Sequence, residues 1–404
     1  MYNLTERSII LGVTGSIAVY KSVDLASKLT QAGARVDVVM TPEATKFVAP
    51  ITFQSVSGRR VYWDMWDPNS DVSEPHIALA RRADLIVIAP ATATVIARLA
   101  LGLAEEMVSL TALATRAPVV LCPAMDSQMF EHPATQEHLQ ALRTRGAHVI
   151  GPEEGRLASG QTGRGRLAEV ESIIGGIRHV LGLGGDLAGK KVVVSAGGTH
   201  EPIDPVRFVG NNSSGKMGFA LAEAARDRGA GVILVAGPSP LADPFAVEVI
   251  RVERAAEMRD AVISRCDDAD VLIMAAAVAD FQPAETVGEK IKRQHTEALT
   301  LPLVRTPDIL GEVPSRPGLV KVGFAAESHD LLDHARQKVA DKRLDLIVAN
   351  DITASDAGFS VDTNRVVILD SGGKQEELPL MSKYEVAWHI LDRVSALLKG
   401  RPGQ

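Results

Sequence analysis

Three short stretches of this chain carry the residue types that hold phosphate. The first, Gly12-Val13-Thr14-Gly15-Ser16-Ile17-Ala18-Val19-Tyr20-Lys21, follows a run of aliphatic residues and leads into a helical pattern. Glycines at such a turn let backbone approach a ligand, the free N–H groups of a helix start favour an anion, and Ser16 adds a hydroxyl. The spacing is not Gly-x-Gly-x-x-Gly, so from this stretch alone mononucleotide binding and ordinary turn chemistry both stay open. The second stretch, Asn211-Asn212-Ser213-Ser214-Gly215-Lys216-Met217-Gly218, opens another helical pattern with capping side chains, exposed N–H groups and a cation. It is not a Walker A loop, because Gly-x-x-x-x-Gly-Lys-Ser/Thr is absent. The third, Glu289-Lys290-Ile291-Lys292-Arg293, reads by itself as a solvated charge run, although an acid beside lysines also suits a metal–triphosphate complex.

Other loops have compositions fit for a ligand. Ala89-Pro90-Ala91-Thr92-Ala93-Thr94 is small and hydroxylated, suited to lie against a flat ring, and Cys122-Pro123-Ala124-Met125-Asp126 closes another strand-like run. The glycine-rich stretch from Leu157 to Leu167 has the makeup of a flap. His76, after Pro75, opens a predicted helix, where a lone histidine is ordinarily a cap or a surface group. In the second half, Ala275-Ala276-Ala277-Val278-Ala279-Asp280 follows a buried strand and leaves room for a ligand.

The elements that must position these loops follow one rhythm. Strand-like runs at Ser8–Val13, Arg35–Met40, Asp84–Ala89, Pro118–Cys122 and His148–Gly151 alternate with helical patterns at Ile17–Gln31, Met107–Thr115 and Pro133–Arg145. A second series has strands at Lys190–Ser195, Gly231–Val235, Val247–Val252, Asp270–Met274, Leu319–Val322 and Asp345–Val348. Its helices are at Lys216–Arg228, Ala255–Cys266 and Asp330–Lys342. Alternating βα units predict α/β architecture, two doubly wound domains with parallel sheets covered on both faces, whose ligands sit beyond the carboxyl ends of the strands. The glycine-dense Leu181-Gly182-Leu183-Gly184-Gly185-Asp186 divides them: 1–181, a linker at 182–189, and 190–404.

At 404 residues with 46% apolar composition, two hydrophobic cores are expected. The net charge of −7 and scattered basic residues argue against a nucleic-acid partner. No apolar run approaches the roughly 20 residues of a membrane span, and the first residues lack a signal peptide's apolar core. Cys122 and Cys266 have no metal-ligand spacing and read as two reduced thiols of a cytoplasmic protein.

Together the first-half segments resemble the flavin-dependent cysteine decarboxylases. Their motifs are the Gly-x-Thr-Gly-Ser/Gly-Ile-Ala-x-Tyr-Lys turn, a helix-starting histidine, an Ala-Pro-Ala-Thr-Ala loop, Pro-Ala-Met-Asn and a glycine-rich flap. The resemblance implies an FMN site at Gly15, Ser16, Thr41, Thr92 and Ala93, with His76 as catalytic base. It also implies that the flavin oxidises a C-terminal cysteine thiol to create the electron sink for loss of CO₂, while the protein orients the substrate and moves protons. Two residues depart from the family pattern. Asp126 stands where an asparagine holds the substrate carboxylate, and an ionised aspartate would repel it. Ser159 aligns with a flap cysteine that donates a proton in the final reduction, and a hydroxyl is a far weaker acid than a thiol of pKa about 8.5. Cys122, Asp126 or water would have to replace it, or the domain releases the oxidised enethiol.

The second-half segments resemble phosphopantothenate–cysteine ligases, through the runs at Asn211–Gly218, Ala275–Asp280 and Glu289–Lys292, with Thr306-Pro307-Asp308-Ile309-Leu310, Gly323-Phe324-Ala325-Ala326-Glu327, Ala335-Arg336-Gln337-Lys338 and Ala349-Asn350-Asp351. That resemblance implies CTP and Mg²⁺ as co-substrate and cofactor and an acyl-cytidylate intermediate. It implies that Asn211 contacts the acyl part and that Lys290 stabilises charge during activation. Met274, Ala275, Ala276, Asp280, Pro307, Asp308, Ile309, Leu310, Phe324, Lys338 and Lys342 would complete the CTP site, with Asp280 at the metal or nucleotide. Phe324 reads equally as a base-stacking residue or a core aromatic. The order, decarboxylase then ligase, is that of bifunctional enzymes of coenzyme A biosynthesis, which implies ligase dimers and decarboxylase trimers. Two other readings are a flavin-binding assembly or regulatory module fused to an active ligase, and an NAD-dependent oxidoreductase. The missing Gly-x-Gly-x-x-Gly disfavours the latter.

Overall fold

The protein is described from a computed structural model at residues 3–66, 73–292, 299–327, 331–351 and 361–400. It divides into two compact units, Met1–Leu181 and Gly182–Gln404. Among the described residues no helix is long and apolar enough to cross a membrane.

The first unit runs β1 (Ser8–Val13), α1 (Val19–Gln31), β2 (Arg35–Met40), α2 (Pro50–Ser57), β3 (Val61–Tyr62), α3 (Pro75–Arg82), β4 (Leu85–Ala91), α4 (Ala93–Leu101) and α5 (Met107–Ala114). It continues with β5 (Val119–Pro123), α6 (Ser127–Glu131), α7 (Pro133–Thr144), β6 (His148–Val149), the hairpin β7 (Glu153–Arg156) and β8 (Thr162–Arg166), and α8 (Val170–Gly182). Six strands form one parallel sheet in the order β3-β2-β1-β4-β5-β6. Every residue of β4 is buried, and β1 and β2 are buried except at their first residue, as sheets covered on both faces require. The chain reverses its winding between β1 and β4, so a ligand crevice opens beyond their carboxyl ends.

The second unit contains β9 (Lys191–Ala196), β10 (His200–Pro202), β11 (Phe208–Gly210), α9 (Lys216–Arg226), β12 (Gly231–Ala236), β13 (Glu248–Arg251), α10 (Ala255–Cys266), β14 (Val271–Met274) and β15 (Phe281–Pro283). Then come β16 (Leu303–Arg305), α11 (Ile309–Glu312), β17 (Val320–Glu327), α12 (Leu331–Lys342), β18 (Leu346–Asp351), β19 (Thr363–Asp370), β20 (Gln375–Ser382) and α13 (Lys383–Gly400). The main sheet has the order β13-β12-β9-β14-β17-β18-β19-β20, with its winding reversed between β9 and β14.

Two features differ from the sequence expectation. The second sheet is not wholly parallel: β19 and β20 add an antiparallel pair joined at Asp370, whose N–H donates to the Lys374 carbonyl at 3.0 Å and whose carboxylate accepts the Lys374 N–H at 2.9 Å. Residues 182–189 are not a free linker but part of the second unit. Leu187 is fully buried in its core, and its N–H donates to the Arg228 carbonyl at 3.0 Å. Asp186 takes the Arg228 guanidinium in two bonds of 2.9 and 2.6 Å, and that cation brings its carboxyl down to about 2.

Close contact between β9 and α9 aligns the second crevice. A Cβ on Gly218 would lie 2.4 Å from the Ala196 Cβ and 2.8 Å from the Ser195 carbonyl oxygen, so only glycine permits the helix to sit there. Gly218→Val should overpack this contact by about 1–3 kcal/mol, lowering the melting temperature of the second unit by roughly 2–12 °C. Differential scanning calorimetry checks this; an unchanged transition would show that the contact relaxes freely.

Candidate functional site

Most of the expected residues lie in loops beyond the strand ends. In the first unit, Thr14 is fully buried after β1; its hydroxyl donates to the Pro90 carbonyl at 2.7 Å and accepts the Thr92 N–H at 3.1 Å. Thr92 caps α4 by accepting from the Val95 N–H, which ties the β1 and β4 turns together across the switch point. Thr41 is held beside them: its N–H donates to the Val13 carbonyl at 2.9 Å, and its hydroxyl accepts from the Ala44 N–H. A Cβ on Gly15 would stand 2.5 Å from the Glu43 Cβ, so the glycine is required by the chain's own neighbouring loop. Ser16 and the start of α1 follow, and α1 has no side-chain cap. An uncapped helix start with an adjacent hydroxyl suits a phosphate, and the small Ala91, Ala93 and Ala124 suit a flat ring, so these residues fit a flavin mononucleotide. His76 is the second residue of α3, behind Pro75, and is half-buried.

The flap reaches the same end of the sheet. Met125 donates its N–H to the Gly165 carbonyl at 3.0 Å, and a Cβ on Gly165 would come within 2.2 Å of the Met125 carbonyl oxygen. Between β7 and β8, Ser159 donates its hydroxyl to Asp126 Oδ2 at 2.9 Å, while Asp126 Oδ1 accepts the Gln128 N–H at 3.1 Å and caps α6. The two residues that depart from the decarboxylase pattern therefore touch each other. Cys122 lies fully buried within β5, and burial pushes its thiol far above the usual range, which leaves it poorly placed as a proton donor.

In the second unit a cavity of about 620 Å³ opens over the ends of β9, β14, β17 and β18. Asn211, Met274, Ala275, Ala276, Asp280, Pro307, Asp308, Ile309, Leu310, Phe324, Lys338 and Lys342 line it. Lys290 does not. It is exposed on a loop fastened elsewhere, where the Val287 N–H donates to the Ile203 carbonyl at 3.0 Å and the Ile291 N–H to Asp204 Oδ2 at 3.2 Å.

Local bonds shape the cavity wall. The Ala276 N–H donates to the buried Ser195 hydroxyl at 3.1 Å, and Asn211 Nδ2 donates to the carbonyls of Ala277 and Val278 at 3.3 and 3.0 Å. Asp308 caps α11 and pairs with Lys342; burial alone would raise its carboxyl, but the ammonium holds it below the usual range. Lys338 Nζ donates to the Phe324 carbonyl at 2.8 Å, and Phe324 is half-buried, packed partly against the core and lining the cavity. Among the described residues no group of three or more His, Cys, Asp or Glu could hold a metal. Asp280 is exposed in the cavity wall, where a cation would take most of its ligands from a bound polyphosphate and water.

The cavity also holds residues to which the sequence had assigned no role. Asn350 on β18 is 8% exposed, and its Oδ1 has no hydrogen-bond partner among the described residues. An unpaired buried acceptor costs about 1–3 kcal/mol, which a ligand's N–H would offset. Asn364 and Lys383 line the same end. A capping box marks the start of the helix that carries Lys383: Ser382 and Glu385 each accept the other's N–H, at 3.2 and 2.9 Å.

Comparison with known proteins matches each half of the chain to a family. The Flavoprotein family model matches residues 1–182, and the model described as DNA/pantothenate metabolism flavoprotein C-terminal domain matches residues 187–398. The coenzyme A biosynthesis bifunctional protein CoaBC of Bacillus subtilis (strain 168) is 48% identical over 98% of each chain. The chain belongs to the bifunctional coenzyme A biosynthesis protein family. Another member, from Mycobacterium bovis (strain ATCC BAA-935 / AF2122/97), is 43% identical over 98% of this chain and 97% of that one. Among solved structures, the C-terminal domain of a CoaBC protein is 40% identical, covering 53% of this chain and 98% of that chain at a TM-score of 0.45. Family membership makes the chain a bifunctional enzyme, with decarboxylase activity in its flavoprotein half and ligase activity in the other.

Gly15→Val would drive a branched side chain into Glu43 and displace the turn that carries Ser16. The purified variant is expected to lose its flavin absorption bands and keep its ligase turnover. A fully yellow variant would remove this turn from the flavin site.

Proposed function

We propose that the second unit joins cysteine to 4′-phosphopantothenate at the expense of CTP, and that the first unit decarboxylates the product, 4′-phosphopantothenoylcysteine, to 4′-phosphopantetheine. The observation carrying this reading is the cavity that collects every residue expected at the nucleotide and the acyl group except Lys290. A carboxylate becomes an electrophile only when its oxygen gains a good leaving group. The carboxylate oxygen attacks the α-phosphorus of CTP, pyrophosphate leaves, and an acyl-cytidylate forms. The cysteine amine then attacks the acyl carbon, losing a proton as CMP departs.

Ser213, Gly215 and the start of α9 form the phosphate end of the cavity, and Gly197, at φ +81°, lets the strand-end backbone lie against Gly215. Phe324, Lys338 and Lys342 hold the base and ribose, Asn211 faces the acyl group, and Asp280 takes Mg²⁺ together with the phosphates. Lys290 reaches the α-phosphate only if its loop moves from the position it has in this structure, as closing loops do around bound substrates.

In the first unit, FMN supplies the two-electron oxidation of the cysteine thiol that makes CO₂ loss feasible. His76 removes the proton that starts that oxidation. Asp126 and Ser159, joined by a hydrogen bond from the Ser159 hydroxyl, are the groups we assign to delivery of the closing proton. The enzyme works in the cytoplasm as an oligomer of ligase dimers and decarboxylase trimers.

Two measurements test these roles. Lys290→Gln should slow pyrophosphate release from CTP and phosphopantothenate by about 100-fold or more while CTP affinity changes little, the pattern of a lost transition-state contact. Release at the wild-type rate would take Lys290 out of the mechanism. For the decarboxylase, His76→Asn should retain FMN and release no CO₂, whereas Asp126→Ala should release CO₂ and stall at an enethiol two hydrogens lighter than the wild-type product. Mass spectrometry separates the two products. The heavier product from Asp126→Ala would assign the proton to water.

A further inference from the structure

We infer that Lys383, at the start of α13, is a second cation for the nucleotide's terminal phosphates, and that it takes up a proton when the nucleotide binds at alkaline pH. This rests on the nucleotide reading of the cavity and adds a residue from an element outside the βα units that built it.

The geometry begins with two helices whose starts converge. α9 opens at Lys216 and α13 at Lys383, the helices pack against each other, and both lysines line one end of the cavity. Each helix is long enough to present a positive dipole end, so two dipole ends and two ammonium groups face one volume. Lys383 is only 5% exposed, and its Nζ donates to the Val361 carbonyl at 2.6 Å. Lys216 Nζ pairs at 2.7 Å with Asp362 Oδ1, a carboxylate whose side chain is 87% exposed. Among the described residues the charged groups that act on Lys383 are Lys216 from α9 and Asp362 from the turn before β19. Asn364 of β19 faces the same space without charge, and Glu385 of α13 is turned back onto Ser382. A polyphosphate carries several oxygens able to accept from both ammonium groups at once, and it matches this end better than a carboxylate would.

Burial first, and then the charge of Lys216, bring Lys383 down to about 8, with Asp362 opposing. The sign of the linkage follows. Without nucleotide Lys383 is protonated below pH 8 and neutral above it. Bound phosphates favour the ammonium and raise its pKa, so binding is proton-neutral at pH 7 and draws in one proton above pH 8. Affinity is then flat below pH 8 and falls by up to about tenfold per pH unit above it, until the pKa of the bound state is reached. The nucleotide's own terminal phosphate, with a pKa near 6, is already ionised across this window.

The test is calorimetric titration of the full-length protein with CTP and Mg²⁺, in the absence of phosphopantothenate. Titrations at pH 7 and pH 9, in buffers of different ionisation enthalpy, read proton uptake directly. Wild type is expected to take up no proton at pH 7 and close to one at pH 9. Lys383→Arg, whose guanidinium stays charged, should bind CTP at both pH values with no uptake. Lys383→Met should bind about tenfold or more weakly at pH 7, also with no uptake, and unchanged melting of this variant would show that it is folded. Equal uptake in wild type and Lys383→Arg would overturn the inference, as would CTP binding by Lys383→Met at wild-type strength. Failure of the wild-type protein to bind CTP at all would instead overturn the nucleotide reading beneath it.

Discussion

The second unit depends on how closely α9 is drawn onto the end of β9. Gly218 has no room for a side chain against Ala196, Gly198 has none against the Asn211 carbonyl, and Gly237 has none against the Gly198 carbonyl. These contacts stack three stretches of backbone at one strand end, where no side chain could be inserted between them. The result is a tightly stacked strand end that sets Asn211 and the start of α9 on the cavity wall. Side chains that do chemistry are then added from the surrounding loops, and the positions of Ser213, Asn211 and Lys216 are consequences of that backbone packing.

The first unit solves the same problem with hydroxyls. Thr14 bonds simultaneously to the turn after β4 through Pro90 and Thr92, so two loops far apart in sequence move as one. Gly15 then has to be glycine because Glu43 crosses beside it. A ligand arriving at either strand end finds the loops already fixed, and little ordering entropy is lost on binding.

Much of this was legible in the sequence because its signals are local. Buried parallel strands are short aliphatic runs, and Ser8–Val13 and Arg35–Met40, like the helix Ala255–Cys266, have the bounds their patterns predict. The candidate nucleotide residues were legible through resemblance, and the cavity unites all of them but Lys290. What local patterning did not reveal was set by packing at a distance. β19 and β20 are an antiparallel pair, β20 with a single buried residue, and they break the βα rhythm that the preceding strands of the sheet obey. Residues 182–189 have the composition of a linker, yet a Cβ on Gly185 would lie 2.3 Å from the Arg228 carbonyl oxygen, so its glycines are there for close packing and not for flexibility. Lys383 was invisible as a site residue for the same reason: only the fold of α13 brings it beside Lys216.

The pairing of Asp126 with Ser159 shows how two substitutions that each look damaging can form one arrangement. The cap on α6 needs one oxygen that accepts the Gln128 N–H, and asparagine and aspartate both supply it. The second atom of the side chain differs. In an asparagine it is an amide that donates; in Asp126 it is an oxygen that accepts from Ser159. A cysteine at the flap position would offer only a weak S–H donor to that oxygen, whereas a serine hydroxyl is a strong one at 2.9 Å. Aspartate therefore favours serine at the flap, and serine in turn holds the flap over the loop that carries Asp126. One oxygen is fixed by a helix start, so position is kept while the group that faces the flap changes from a donor to an acceptor.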